Sequence, residues 1–175
     1  MVSRIEVEHL ESPIGRLSLY VRQATLVALE FDTGRDDPRL LLLRRFPEAG
    51  FSEVAGTPFA DALRRYFDGE LRAIEGLAVD PGGTRFQARV WRALRKIPVG
   101  STLSYGELAR RLGQPLAVRA VGLANGRNPI AIVIPCHRVI GSDGALVGYG
   151  GGLERKRWLL GHEGALAAEQ QLLFA

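Results

Sequence analysis

Four residues, Asp80-Pro81-Gly82-Gly83, constrain the fold of this 175-residue chain more than any other run. Proline cannot continue a helix or donate to a sheet ladder, and paired glycines remove the stiffness that a regular element needs. The charge balance changes sign at the same place. Residues 1–83 hold 10 arginines against 14 acidic residues, for −4. Residues 84–175 hold 13 basic residues against 5 acidic ones, for +8. Two units are therefore expected, 1–83 and 84–175, with the second suited to a polyanion. Two solvated surfaces with no partner account for the charges equally well.

The first half reads as α/β. Ser12-Pro13-Ile14-Gly15 is a turn, followed by alternating Leu17, Leu19 and Val21 and then by the apolar stretch Leu26–Phe31, a hairpin or meander. Asp36-Asp37-Pro38 opens a helix through Arg45. A loop rich in Gly, Glu and Pro leads to a second helix over Pro58–Asp68. The second half is mainly helical. Thr84 caps a helix over Arg85–Ile97, with Phe86, Val90, Trp91, Leu94 and Ile97 at core spacing. Ser104 and Glu107 form a capping box for a helix through Leu112. A turn at Gly113-Gln114-Pro115 leads to a helix over Leu116–Ala124. This pair is a helix-turn-helix candidate carrying Arg110, Arg111 and Arg119. Ile130–Ile134 reads as a buried extended segment, Gly148–Gly152 as a loop, and Leu153–Leu160 as a last basic helix. The tail from Ala165 is either helical or frayed.

No apolar run approaches the roughly 20 residues that span a bilayer. The opening Met1-Val2-Ser3-Arg4-Ile5-Glu6 lacks a secretory apolar stretch, and with one cysteine this is expected of a cytoplasmic protein. Only Lys96 and Lys156 are lysine; the other 21 basic residues are arginine. Arginine suits phosphate recognition, and equally a GC-rich genome.

The one cysteine lies in Pro135-Cys136-His137-Arg138-Val139. A lone thiol excludes an internal disulfide and a multi-cysteine metal cage, leaving an inert buried thiol or a nucleophile. A thiol with an ordinary pKa of roughly 8.5 needs a base, and His137 is adjacent. Neighbours in an extended chain face opposite ways, so a Cys–His contact requires a bend after Pro135 or a bridging water. Such a base needs an orienting acceptor. Glu163 is chosen from Glu107, Asp143, Glu154, Glu163 and Glu169, because a carboxylate at a helix C-terminus must be held there by something. His9, His137, His162 and Cys136 show no zinc spacing.

The run Asn128-Pro129 to Pro135-Cys136-His137-Arg138-Val139-Ile140, then Gly148-Tyr149, Gly151-Gly152-Leu153, Lys156 and His162-Glu163-Gly164, resembles the O6-alkylguanine-DNA alkyltransferases, the methylated-DNA–protein-cysteine methyltransferases. Phe86, Val90-Trp91, Ile97-Pro98, Gly100, Ser104-Tyr105 and Arg119-Ala120-Val121-Gly122 agree in order. The likeness covers about 86–164; over 1–83 it rests on Ser12-Pro13-Ile14-Gly15 and the strand after it. It implies an α+β chain, with a ribonuclease H-like α/β domain over 1–83 and a helical, winged-helix-like domain over 84–175 that binds DNA and accepts the alkyl group.

The resemblance also implies the activity: flipping O6-alkylguanine out of duplex DNA and moving its alkyl group irreversibly to Cys136, once per molecule. O4-alkylthymine is left open. His137 matches the base that acts through water, Glu163 its partner, Tyr105 the proton donor to the guanine ring, and Asn128 a hinge. Arg119 matches the residue that fills the vacated base stack. Ala120 and Gly122, with Ala124, permit close approach to the backbone, and Ser104, Tyr105 and Arg138 complete the DNA-facing set. Val139, Tyr149 and Gly150 line the pocket. Some members carry a hydroxyl residue at position 150, so the glycine here bears on which alkyl groups are accepted. Some bind structural zinc through N-terminal cysteines that this chain lacks; neither metal nor cofactor is expected. A monomer acting on lesion-bearing double-stranded DNA, away from membranes, is the expectation. The residues alone leave two rivals. A cysteine hydrolase would turn over repeatedly without DNA. A pure DNA-binding module, a regulator or lesion sensor, would keep its function in Cys136→Ser.

Overall fold

The computed structural model of the chain describes residues 4–34 and 37–166, so the readings of Asp36 and of the tail beyond 166 fall outside the described residues. The chain splits into two compact units, Met1–Gly82 with Pro129–Val133 and Gly83–Asn128 with Ile134–Ala175. Its fold is mixed α+β. Among the described residues no helix is long and apolar enough to cross a membrane.

The first unit is built on a four-stranded sheet. Its strands are β1 (Arg4–Leu10), β2 (Leu17–Arg22), β3 (Thr25–Phe31) and β4 (Gly50–Glu53), in the order β3-β2-β1-β4. The expected hairpin is β2–β3, closed by Gln23 and Ala24, both at positive φ, as a twist-matched two-residue turn requires. β1 pairs antiparallel with β2 and parallel with β4. β4 lies where a loop was expected; four residues at a sheet edge carry too little alternation to stand out. Ile5, Val7, Tyr20, Val27, Ala28 and Leu42 form a core cluster, the last from α1 (Pro38–Arg45). Ile5, Val7, Val27 and Leu42 each contribute about 1.5–3 kcal/mol on burial. Helix α2 (Pro58–Phe67) is capped by Thr57. The buried Glu8 carboxylate accepts the Gly56 and Thr57 N–H groups at 2.9 and 2.8 Å, where a helix N-terminus favours negative charge.

The free edge of β3 is used twice. Leu26 bridges to Val79, and Leu29 bridges to Ile130 through the Leu29 N–H to the Pro129 carbonyl and the Ala131 N–H to the Leu29 carbonyl. The extended run expected over Ile130–Ile134 therefore ends almost as it begins. Ile132 takes a φ of 69° and the chain turns, with Ile130, Ile132, Val133 and Ile134 all buried. Continuous hydrophobicity registers burial, and a buried turn produces the same run as a buried strand.

In the second unit, α3 (Arg85–Leu94) starts with a Thr84–Gln87 capping box and buries Val90, Trp91 and Leu94. It stops three residues short of the expected Ile97, passing into tighter i→i−3 bonds at Lys96 and Ile97. Helix α4 (Tyr105–Arg111) carries the capping box read from Ser104 and Glu107. Helix α5 (Val118–Gly126) begins and ends two residues later than expected, and leaves Leu116 outside and fully exposed. Trp91 Nε1 donates to the Ala124 carbonyl at 2.9 Å, tying α3 to α5. Two short strands, β5 (Leu103–Ser104) and β6 (Val139–Ile140), pair in parallel, and α6 (Leu153–His162) follows.

Candidate active site

The β5–β6 pairing sets the start of α4 beside the chain that leaves Cys136. Pro135 is followed by a single 3₁₀ turn over Cys136–Arg138, closed by the Arg138 N–H on the Pro135 carbonyl at 3.0 Å. The chain thus bends directly after Pro135. Asn128 Nδ2 donates to the Ile134 carbonyl at 2.7 Å, and the Asn128 side chain also hydrogen-bonds the thiol. Asn125, buried on α5, reaches the Cys136 carbonyl at 3.4 Å.

His137 is fully buried, and its Nε2 lies 2.9 Å from Glu163 Oε1. Glu163, the residue that closes α6, also accepts Arg138 Nε on Oε2 and Arg138 Nη2 on Oε1, both at 2.9 Å. Arg138 Nη1 donates to the Ile97 carbonyl at 2.7 Å. The DNA-facing place expected of Arg138 is thus corrected. It is buried, because the Glu163 carboxylate needs a full counter-charge where water is excluded. Gly100, at φ 79°, lets the turn after α3 approach the Glu163 carbonyl: a Cβ there would lie 3.2 Å from it.

These contacts settle protonation. Burial pushes the Glu163 carboxyl up, but the bonds from His137 and Arg138 together outweigh it and hold the group well below the usual carboxylate range. An ionised carboxylate only accepts, so His137 Nε2 carries the proton and Nδ1 the lone pair. Burial lowers the His137 pKa despite Glu163, which keeps the ring neutral at pH 7. Nδ1 makes no hydrogen bond among the described residues. His137 is therefore a neutral base with one nitrogen fixed and the other unclaimed.

Burial pushes the Cys136 thiol up; the Asn128 hydrogen bond, the charge of Lys156, and the N–H groups of Cys136 and His137 pull it back only in part. The resting sulfur is a thiol that must be deprotonated to react. Tyr105, first residue of α4, has its pKa raised by burial and by the charge of an ionised Cys136, so its phenol stays protonated. It donates to the Val147 carbonyl at 3.1 Å. Its ring lies against Gly122 on α5, where a Cβ would sit 3.8 Å away.

The remaining expected residues fall in three settings. Arg119 and Ala120 are exposed on α5, and Ser104 is half-buried as the cap of α4. Val139 is fully buried and faces the site through its carbonyl, while Tyr149 is half-buried and Gly150 exposed. Sequence reasoning assigned no role to Asn125 or Lys156. Lys156 is fully buried on α6, with Nζ donating to the carbonyls of Val139, Val147 and Gly148 at 2.6, 3.0 and 3.2 Å. Its sequence signals were its place in the run that carries the family resemblance and its being one of two lysines in a chain that otherwise uses arginine.

The chain is similar to known proteins over nearly its whole length. Residues 85–165 match the family described as 6-O-methylguanine DNA methyltransferase, DNA binding domain. The chain is 47% identical over 167 residues to the methylated-DNA–protein-cysteine methyltransferase of Salmonella typhimurium, covering 93% of this chain and 98% of that one. It is 46% identical over 170 residues to the protein of the same name from Mycobacterium tuberculosis, covering 97% and 99%. The crystal structure of the M. tuberculosis O6-methylguanine methyltransferase superposes with a TM-score of 0.79 at 43% identity, over 98% of this chain and 99% of that one. M. tuberculosis OGT in complex with DNA gives 0.79 at 44% identity, over 97% and 99%.

Proposed function

The chain belongs to the methylated-DNA–protein-cysteine methyltransferase family, and from that premise we propose how its own residues carry out the transfer. It repairs DNA by direct reversal, moving an alkyl group from the damaged base to a cysteine of the protein. The chain has one cysteine, so the acceptor is Cys136. The observation that carries the reading is that this thiol sits in one turn with a neutral histidine whose far nitrogen is held by a buried, ionised glutamate.

The substrate is O6-alkylguanine in duplex DNA. Exposed Arg119 and Ala120 on α5, half-buried Gly122, and the basic surface of the second unit support a reading in which α4 and α5 act as a helix-turn-helix on the duplex. Arg119 fills the place of the everted nucleotide. The minor groove, where base edges carry little sequence information, suits a protein that seeks damage rather than sequence. Eversion costs a few kcal/mol, less for a poorly paired lesion. The first unit is ribonuclease H-like in shape and the second winged-helix-like.

His137 Nδ1 takes the thiol proton through a water, while Nε2–H stays on Glu163. The sulfur attacks the alkyl carbon, an S–C bond forms, and the C–O6 bond breaks. Tyr105 donates its proton to a guanine ring nitrogen, which makes the base a better leaving group. The proton lost by the thiol balances the one gained by the base. Tyr105 has a single O–H, now given to Val147, so that bond yields when the base arrives. The thioether has no leaving group, and each molecule acts once.

The test is to mix the protein with a duplex containing O6-methylguanine and weigh the peptide around Cys136. The gain of one methyl is expected. An unmodified peptide in folded protein with excess lesion overturns the assignment. Repeated turnover of an ester with no affinity for DNA establishes the hydrolase instead.

A further inference from the structure

Lys156 is a buried cation that the mechanism above leaves unused. Among the described residues no carboxylate pairs with it, and its partners are three backbone carbonyls. Burying an ammonium without a counter-ion is costly, and burial pushes Lys156 down to about 8 against carbonyls that favour the charged form. A clamp for carbonyls alone could be built from neutral donors at less cost. The group that answers its charge is the ionised Cys136 sulfur, which raises the Lys156 pKa as Lys156 lowers that of the thiol.

The three carbonyls are informative. Val139 lies on β6, directly after the 3₁₀ turn of Cys136, while Val147 and Gly148 lie on the loop leading to α6. Nζ thus fastens the loop to the strand that leaves the nucleophile. The Val147 carbonyl is shared, accepting Tyr105 O–H at 3.1 Å and Lys156 Nζ at 3.0 Å. When Tyr105 turns its proton to the base, Lys156 keeps that carbonyl satisfied and the loop in place.

We propose that Lys156 is a positioning residue for alkyl transfer, pinning the Val147–Gly148 loop to β6 beside Tyr105 and lending the Cys136 sulfur its buried positive charge. The inference rests on Cys136 being the acceptor. The groups around that sulfur are Lys156 from α6, His137 on its own turn, Tyr105 from α4 and Asn128 after α5.

Lys156→Met and Lys156→Gln in the full chain test it. The glutamine amide restores two N–H donors without charge, so it preserves more of the fold if the methionine protein is unstable. Single-turnover transfer from O6-methylguanine duplex, run over a range of protein concentrations, separates the limiting rate from half-saturation. The limiting rate is expected to fall by about tenfold or more, with half-saturation within about twofold. The midpoint pH for methylation of Cys136 by iodomethane should rise in both variants, which loop packing alone would not cause. A limiting rate within about twofold of the parent in a folded variant, or an unmoved midpoint, overturns the proposal. If the parent itself transfers nothing, the functional reading falls first and this inference falls with it.

Discussion

Replacing Glu163 with glutamine probes the site most directly, since it exchanges one carboxylate oxygen for an NH₂ group and leaves volume nearly unchanged. The carboxylate accepts three hydrogen bonds of 2.9 Å, two on Oε1 from His137 and Arg138 and one on Oε2 from Arg138. A glutamine oxygen at the Oε1 position retains two of them. Its amide N–H₂ then faces Arg138 Nε, donor against donor, and the buried guanidinium loses its counter-charge. Removing one partner of a buried ion pair costs about 3–5 kcal/mol. For a chain of this length each kcal/mol lowers Tm by about 2–4 °C, so calorimetry at pH 7 should show a fall of about 6–20 °C. The pH dependence has a definite sign. Glu163 has a depressed folded pKa, so its contribution is complete above the ordinary carboxylate value of roughly 4.3 and is lost as pH falls toward the folded value. The gap between parent and variant should therefore close progressively below about pH 4. Transfer should slow as well, because His137 keeps an acceptor but loses the negative charge that raises its basicity. A Tm within about 2 °C of the parent at pH 7, or a gap that ignores pH, would refute the network.

Two further outcomes are expected. Arg119→Ala should lower the transfer rate on duplex DNA far more than on the free O6-methylguanine base, and equal losses on both substrates would contradict a role in eversion. Gly83→Ala should destabilise the protein by about 2–5 kcal/mol, adding the left-handed penalty to overpacking. Gly83 has φ 80°, and a methyl there would lie 2.6 Å from Trp91 Cζ3. An unchanged urea midpoint would show that the turn relaxes freely.

Local signals were legible where one residue type answers one local need. The Ser104–Glu107 box and the cap at Thr84 satisfy nearby N–H groups, and both helices start where those residues placed them, whereas Asp37, expected in a first turn, stands outside its helix as the cap. Glu163 was legible from electrostatics, because a carboxylate ending a helix needs a cation, and Arg138 supplies it. That cation was itself misread. The resemblance sets it among the DNA-facing residues, and only three-dimensional proximity to Glu163 and Ile97 reveals that it is spent internally. Lys156 was opaque for a similar reason, since its partners are backbone carbonyls, which carry no residue signature. β4, β5 and β6, with four, two and two residues, are too short for any period to declare itself.

The five residues Pro129–Val133 cluster with Met1–Gly82, although both their flanks belong with the other half. The polypeptide therefore crosses at the Asp80–Gly83 breaker and then twice more, just ahead of the nucleophile. A gene trimmed to residues 84 onward would encode a chain whose Ile130 had lost the Leu29 edge it pairs with. The two halves are stitched rather than strung, and neither can be excised with one cut.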